Sequence, residues 1–165
     1  MNIRQAEEKD AENFAKLIQD VENTSEYMLY GPGERAFNPE SKKKMITAFQ
    51  AEKNSAIFVA EKNEELQGFL IAKGGSAKRN LHTAYLVIGI LEKHRGTGIG
   101  TNLFEELFNW AKEQNHHRLE LTVMSHNEAG KRLYTKMGFE VEGTKRHSLL
   151  VNGKYFDENY MSKLI

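Results

Sequence analysis

Three glycines in five residues mark the stretch Arg95-Gly96-Thr97-Gly98-Ile99-Gly100. Glycines so spaced allow a tight turn, positive φ angles and close backbone approach to a ligand. The residues after them read as an amphipathic helix, whose first N–H groups lack partners and whose dipole presents its positive end. Arg95 adds a charge-assisted donor. Those residue types suit a diphosphate, whereas a plain strand-to-helix connection needs fewer glycines. A P-loop is excluded because no Lys-Ser/Thr pair follows Gly100. The dinucleotide pattern G-x-G-x-x-G fails too, since from Gly96 the glycines fall as G-x-G-x-G. The loop also comes after several strands and not after the first, as a Rossmann domain requires.

The elements that would position this loop follow from periodicity. Residues 2–4 read as a short strand, and Asp10 is placed to cap a helix carrying Phe14, Leu17, Ile18 and Val21. Residues 28–40 hold both prolines and two glycines and read as a loop, followed by a second helix over about 40–53. Two β-rich runs, 56–61 and 66–72, suggest an antiparallel hairpin. His82 to Leu91 is the most continuously apolar run and predicts a strand covered on both faces. After the glycine loop, Ile99, Leu103, Leu107, Trp110 and Ala111 form an apolar helical stripe. Leu119, Leu121 and Val123 alternate with Glu120, Thr122 and Met124 as a half-buried strand. Asn127 fits the N-cap of a short helix ending at Gly138. Two closing strands flank Asn152-Gly153, a type I′ turn signal. The order β-α-α-β-β-β-α-β-α-β-β predicts one α/β domain over 1–165 with a mixed, largely antiparallel sheet.

Composition narrows the chemistry. The 165 residues carry 23 Lys+Arg, 23 Asp+Glu and no Cys, so there is no disulfide framework, thiol nucleophile or thiolate metal site. Zero net charge argues against a nucleic-acid partner bound by counterion release. No apolar leader or span is visible, so no membrane partner and a cytoplasmic location are the default expectations. Charge is uneven, however: residues 1–34 hold eight acids against three bases, a net −5 that leaves +5 for the rest. His116, His117 and His126 show no metal-ligand spacing and are expected at the surface or in caps, so no metal site is predicted.

The loop also reads as R-x-x-G-x-G, and here the chain resembles the GCN5-related N-acetyltransferase (GNAT) family, whose coenzyme A pyrophosphate loop is Q/R-x-x-G-x-G/A. Some 30 residues on, Asn127-Glu-Ala129-x-x-x-Leu133-Tyr134-x-x-x-Gly138-Phe139 is similar to the family's second block, N-x-x-A-x-x-L-Y-x-x-x-G-F. The C-terminal segment from Val141 most resembles the branch with the ribosomal-protein and diamine acetyltransferases. The resemblance implies a GNAT-like sheet with helices on both faces. It also implies a central parallel pair, Tyr85–Leu91 and Leu119–Met124, splayed around the cofactor. Acetyl-CoA would be the co-substrate. The backbone of Ile88, Gly89 and Ile90 would bind the pantetheine arm; Arg95, Gly96, Thr97, Gly98, Ile99 and Gly100 would hold the pyrophosphate; Asn127, Ala129 and Tyr134 would line the other side.

Aminolysis of a thioester needs a neutral amine, a polarised carbonyl and a protonated leaving thiolate. The resemblance offers Tyr134 as the acid for the thiolate and an N–H of the 88–90 strand for the oxyanion. Related members often carry Glu in the strand before the loop; here that position is Tyr85, which takes away the expected base. Glu120, on the opposite strand face from Leu119 and Leu121, is one substitute, His82 another, and ordered water a third. Without Cys, a cysteine-linked acetyl-enzyme is excluded and direct transfer remains. The acceptor is expected to be a small-molecule amine or a protein N-terminus, entering over the first two helices. The −5 segment there points to a cationic acceptor. A homodimer is compatible with the resemblance. Two rival readings are a coenzyme A-binding sensor or scaffold without catalysis, and a nucleotide-binding regulatory module.

Overall fold

A computed structural model describes residues 1–165. Eleven elements follow the predicted order: β1 (Asn2–Gln5), α1 (Ala11–Thr24), α2 (Pro39–Ala51), β2 (Ala56–Lys62), β3 (Glu65–Gly74), β4 (Thr83–Ile90), α3 (Ile99–Glu113), β5 (Arg118–Met124), α4 (Glu128–Lys136), β6 (Glu140–Val151) and β7 (Lys154–Leu164). Short 3-10 turns precede α1 and follow β4. All seven strands join one sheet in the order β1-β2-β3-β4-β5-β7-β6. Every neighbouring pair is antiparallel except β4 and β5.

The two faces carry separate cores. Ala84 and Leu86 of β4, Leu119, Leu121 and Val123 of β5, and Met161 of β7 pack with Leu103, Phe104 and Leu107 of α3 and Tyr134 of α4. On the other face Phe14, Leu17 and Val21 of α1 and Ile46 and Phe49 of α2 cover Val59, Leu66 and Phe69. Alternation along each strand distributes the residues between these faces. The second core stops short of the β5-β7-β6 half, where Glu120, Thr122 and Tyr160 share an uncovered face.

That asymmetry corrects the expectation that β4 is covered on both faces. Leu86 is buried, but Tyr85 next to it is 41% exposed, because α1 reaches β4 only near its far end. There Val21 Cγ1 would lie 3.0 Å from a Cβ on Gly89, and Phe69 Cε1 only 2.5 Å from it. Gly89 thus lets the Phe69 ring and α1 close over the sheet. Asp10 departs from its expected capping role in part. It occupies the N-cap of α1, but its side chain makes no cap bond there. Both carboxylate oxygens are taken by Arg4, at 2.7 and 2.9 Å, and one also accepts the Glu7 N–H. The Asn152-Gly153 turn has φ values of 50° and 75°, as its type I′ signal predicts.

Candidate active site

The glycine loop lies where β4 ends and α3 begins. Gly98, at φ +90°, is the N-cap of α3, and Gly96 is at φ +76°. A Cβ at either position would meet nothing within 4 Å, so packing does not demand glycine there. The left-handed backbone does, and the open space over the loop suits a ligand. The first intrahelical bond of α3 is Asn102 N–H to Gly98 O, leaving the preceding N–H groups free for an anion. Arg95 extends its Nε to Ile90 O at 3.3 Å, so its guanidinium lies between the end of β4 and the loop. Thr97 Oγ1 donates to His94 O at 2.7 Å and closes the turn. Gly100 has a different reason: a Cβ would strike Leu133 Cδ2 at 2.7 Å, so it sets how closely α3 and α4 approach.

Beside the loop the sheet forks. Parallel pairing between β4 and β5 covers only Thr83↔Arg118, Ala84↔Leu119 and Tyr85↔Glu120. Beyond Tyr85, β4 continues against β3, and β5 continues against β7. Leu91 N–H bonds Gln67 O on the β3 side. By strand alternation Gly89 turns its backbone groups to β3, while Ile88 and Ile90 turn theirs into the fork. An extended arm could pair with those two residues as an added strand would. Gly89 serves instead through its missing side chain.

Tyr134 of α4 is buried beneath the fork, against Phe104 and Phe139. Burial, with the Tyr85 phenol close by, pushes the Tyr134 hydroxyl up to about 12, so it stays neutral and able to donate. Asn127 caps α4, its Oδ1 accepting Gly130 N–H at 2.9 Å, and Ala129 follows, exposed, in the first helical turn.

Above the fork, on the uncovered face, Tyr85 Oη and Thr122 Oγ1 are 2.8 Å apart. Thr122 had no sequence signal as a site residue. Only the β4–β5 register shows that it stands one step past Glu120, where the strands part. Glu120 is next to Tyr85 in register, but its carboxylate accepts Arg118 Nε at 2.7 Å. Arg118 also grips Glu142 with both terminal nitrogens, at 2.5 and 2.8 Å, and Ser162 donates to the same carboxylate. Arg118 and Ser162 together pull the Glu142 carboxyl down to about 2. His82 precedes β4 at the closed end of the fork, where its carbonyl accepts the His117 and Arg118 N–H groups. The structure therefore brings Tyr134, Ile88, Ile90 and the glycine loop together, and leaves His82 outside.

Half of the acids in the acidic front are closely paired. Asp10 pairs with Arg4, Glu7 with Lys9, Asp20 with Lys16, and buried Glu22 with Arg35. Arg4, Lys9 and Lys16 are already counted in the −5, so only Arg35 and the longer Lys43–Glu8 contact at 3.9 Å bring in outside charge. Glu12, Glu26 and Glu34 stay exposed without an ion pair. No three His, Asp or Glu side chains cluster to hold a metal ion, and no helix is long and apolar enough to cross a membrane.

A sheet forked at its one parallel pair, a glycine-turned helix N-terminus at the mouth and a neutral buried phenol below form an elongated cleft whose shape suits an extended, phosphate-bearing ligand. Residues 20–139 match the Acetyltransferase (GNAT) family. The L-amino acid N-acetyltransferase AaaT of Escherichia coli K12 is 33% identical over 90 residues, 52% of this chain and 54% of that protein. The chain thus spans only about half of that relative in the match. A solved acetyltransferase of the GNAT family from Streptococcus pneumoniae superposes with a TM-score of 0.94 at 28% identity, over 99% of this chain and 98% of that one. YncA from Salmonella typhimurium, described as a putative acetyltransferase and solved with acetyl-CoA, gives 0.88 at 20% identity, over 99% and 92%. The chain belongs to the acetyltransferase (GNAT) family.

Proposed function

We propose that the protein transfers an acetyl group from acetyl-CoA directly to a primary amine within a ternary complex. The observation that carries this reading is the open fork between β4 and β5, with Tyr134 on one side and an uncovered sheet face on the other. Acetyl-CoA would supply the activated acyl group. Free N–H groups of residues 98–101 and the Arg95 guanidinium would hold its pyrophosphate, with Gly96 and Thr97 shaping the turn and Ile99 anchoring α3 in the core. The backbone of Ile88 and Ile90 would align the arm, with Asn127 and Ala129 flanking it, and an N–H of that strand would polarise the carbonyl. Tyr134 would protonate the departing sulfur. Glu120, locked to Arg118, would keep the sheet rigid beside the acceptor and not take its proton.

Released thiol, followed while amines are added to protein and acetyl-CoA, tests the proposal. Turnover with at least one amine supports it. Coenzyme A binding with no thiol release from any amine would establish a non-catalytic coenzyme A sensor in its place.

A further inference from the structure

Both strands of the fork set a hydroxyl, not a carboxylate, over the gap, and those hydroxyls bond each other (Tyr85 Oη to Thr122 Oγ1, 2.8 Å). Every carboxylate nearby is engaged elsewhere. Glu120 leans back toward Arg118, on the closed side of the fork, and Glu142 is clamped by Arg118 and Ser162. Glu158, further along β7, accepts Ser148 Oγ at 2.8 Å and lies 3.5 Å from Lys145. Lys145 sits over the ring of Tyr160, the β7 neighbour of Thr122. At the end of α1, Glu22 is buried under Arg35, which stacks on Tyr30. His126 lies past the end of β5, its ring stacked on Phe156 and edge-on to Tyr27. Below the gap Tyr134 is a neutral phenol. Directly over the gap, then, stand two hydroxyls and no carboxylate, and His126, whose ring contacts are stacking alone, follows the end of β5.

We propose, resting on the transfer reaction above, that the acceptor must enter as the neutral amine. The protein would then select weakly basic primary amines, with peptide-like α-amino groups as the type, over alkylammonium groups such as lysine side chains and polyamines. The Tyr85–Thr122 pair orients the entering nitrogen by accepting a hydrogen bond from it and takes no proton. The proton balance closes without an enzymic base. The nitrogen lone pair forms the N–C bond, and the C–S pair leaves with sulfur. Sulfur takes the Tyr134 proton, and the proton shed by nitrogen returns through water to the Tyr134 oxygen.

The size of the selection follows from acidity alone. At pH 7 an α-amino group of pKa about 8 is ~10% neutral, and a lysine ε-amino group of pKa about 10.4 is ~0.04% neutral. The stronger base is the better nucleophile, which narrows this gap of about 200-fold; at least ~20-fold should survive.

The test measures kcat/KM from pH 6 to 11 for alaninamide and for Nα-acetyl-lysinamide, using wild type, Tyr85→Glu, Glu120→Gln and His126→Gln. In the wild type the rising limb should track each amine, near pH 8 for the first and above 10 for the second. At pH 7 alaninamide should lead by at least ~20-fold. Tyr85→Glu, which puts a carboxylate at the gap, should raise the lysine-type rate at pH 7 and uncouple the limb from the amine. One limb at a fixed pH shared by both amines overturns the inference, and its loss in Glu120→Gln or His126→Gln would name the base. Such a result leaves the transfer reaction standing, whereas no thiol release from any amine overturns both.

Discussion

At the level of single residues, Tyr134 and Tyr85 are two phenols with opposite fates set by their surroundings. Tyr134 is enclosed by Phe104 and Phe139, and its hydroxyl is driven up to about 12. Tyr85, on the part of its sheet face that α1 does not reach, shares a hydrogen bond with Thr122. Replacing Tyr134 by Phe should therefore lower kcat by about 10²-fold or more and leave coenzyme A affinity within about twofold, since the ring packing is kept. Steady-state thiol release and calorimetric titration measure the two quantities separately. A tenfold loss of affinity with unchanged kcat would assign Tyr134 to binding alone. The motif N-x-x-A-x-x-L-Y made Tyr134 legible in the sequence. Thr122 was not, because nothing local distinguishes it from any outward strand residue.

Among the elements, the decisive feature is that β4 keeps β3 along nearly its whole length but β5 only at its start. Its first three residues pair with β5, and its later ones pair with β3 alone. The glycines around it do different work. Gly89→Ala should destabilise the fold by about 2–3 kcal/mol. Its Cβ would press on the Phe69 ring, itself fixed edge-on by Phe14 at 5.7 Å. Urea melts measure this, and an effect under about 0.5 kcal/mol would mean the ring has room to move. Gly98→Ala should cost only about 1–2 kcal/mol, the strain of an L side chain at positive φ. Its larger effect should be a rise of about tenfold or more in KM for acetyl-CoA, because the new methyl projects into open space over the loop. An unchanged KM would move the pyrophosphate off this loop. The G-x-G-x-G spacing showed that the loop was special, but it could not separate a glycine needed for φ from one needed for packing.

For the whole molecule, ligand binding and pH should both be read in stability. Coenzyme A at about 100 times its dissociation constant should add ~2.7 kcal/mol of stability. In a chain of this size that is an upward shift of about 5–10 °C in Tm. ATP and NAD at the same concentration should give no shift, and a shift with either would revive a nucleotide-binding module. Acid stability should depend on the N-terminal pair. Burial by itself would raise the Asp10 carboxyl, but Arg4 and the Glu7 N–H outweigh it and hold the group below its ordinary value. A carboxylate depressed in the folded state stabilises above its unfolded pKa, and that contribution is lost as pH falls through the folded one. Asp10→Asn should thus cost about 2 kcal/mol at pH 7, and the difference from wild type should shrink toward zero in acid below the ordinary carboxylate range. Urea melts across pH 2–7 measure it; a difference independent of pH would mean that the carboxylate's charge contributes nothing.

The element order, the glycine-turned loop, the Asn127 cap and the type I′ hairpin were determined by the sequence itself. Each rests on local periodicity or on backbone conformations that only certain residues tolerate. The chemistry over the fork was decided only in three dimensions. Counting acids in residues 1–34 gave a net −5, but only the fold shows that Arg35 comes back to Glu22 and that Arg4 clamps Asp10. That Glu120 would stand against Arg118, with Glu142 on the same guanidinium, emerged only from the β5-β7-β6 register. Charge pairing and strand register join residues far apart in the chain, and no local pattern encodes the partner a side chain meets once the sheet has closed.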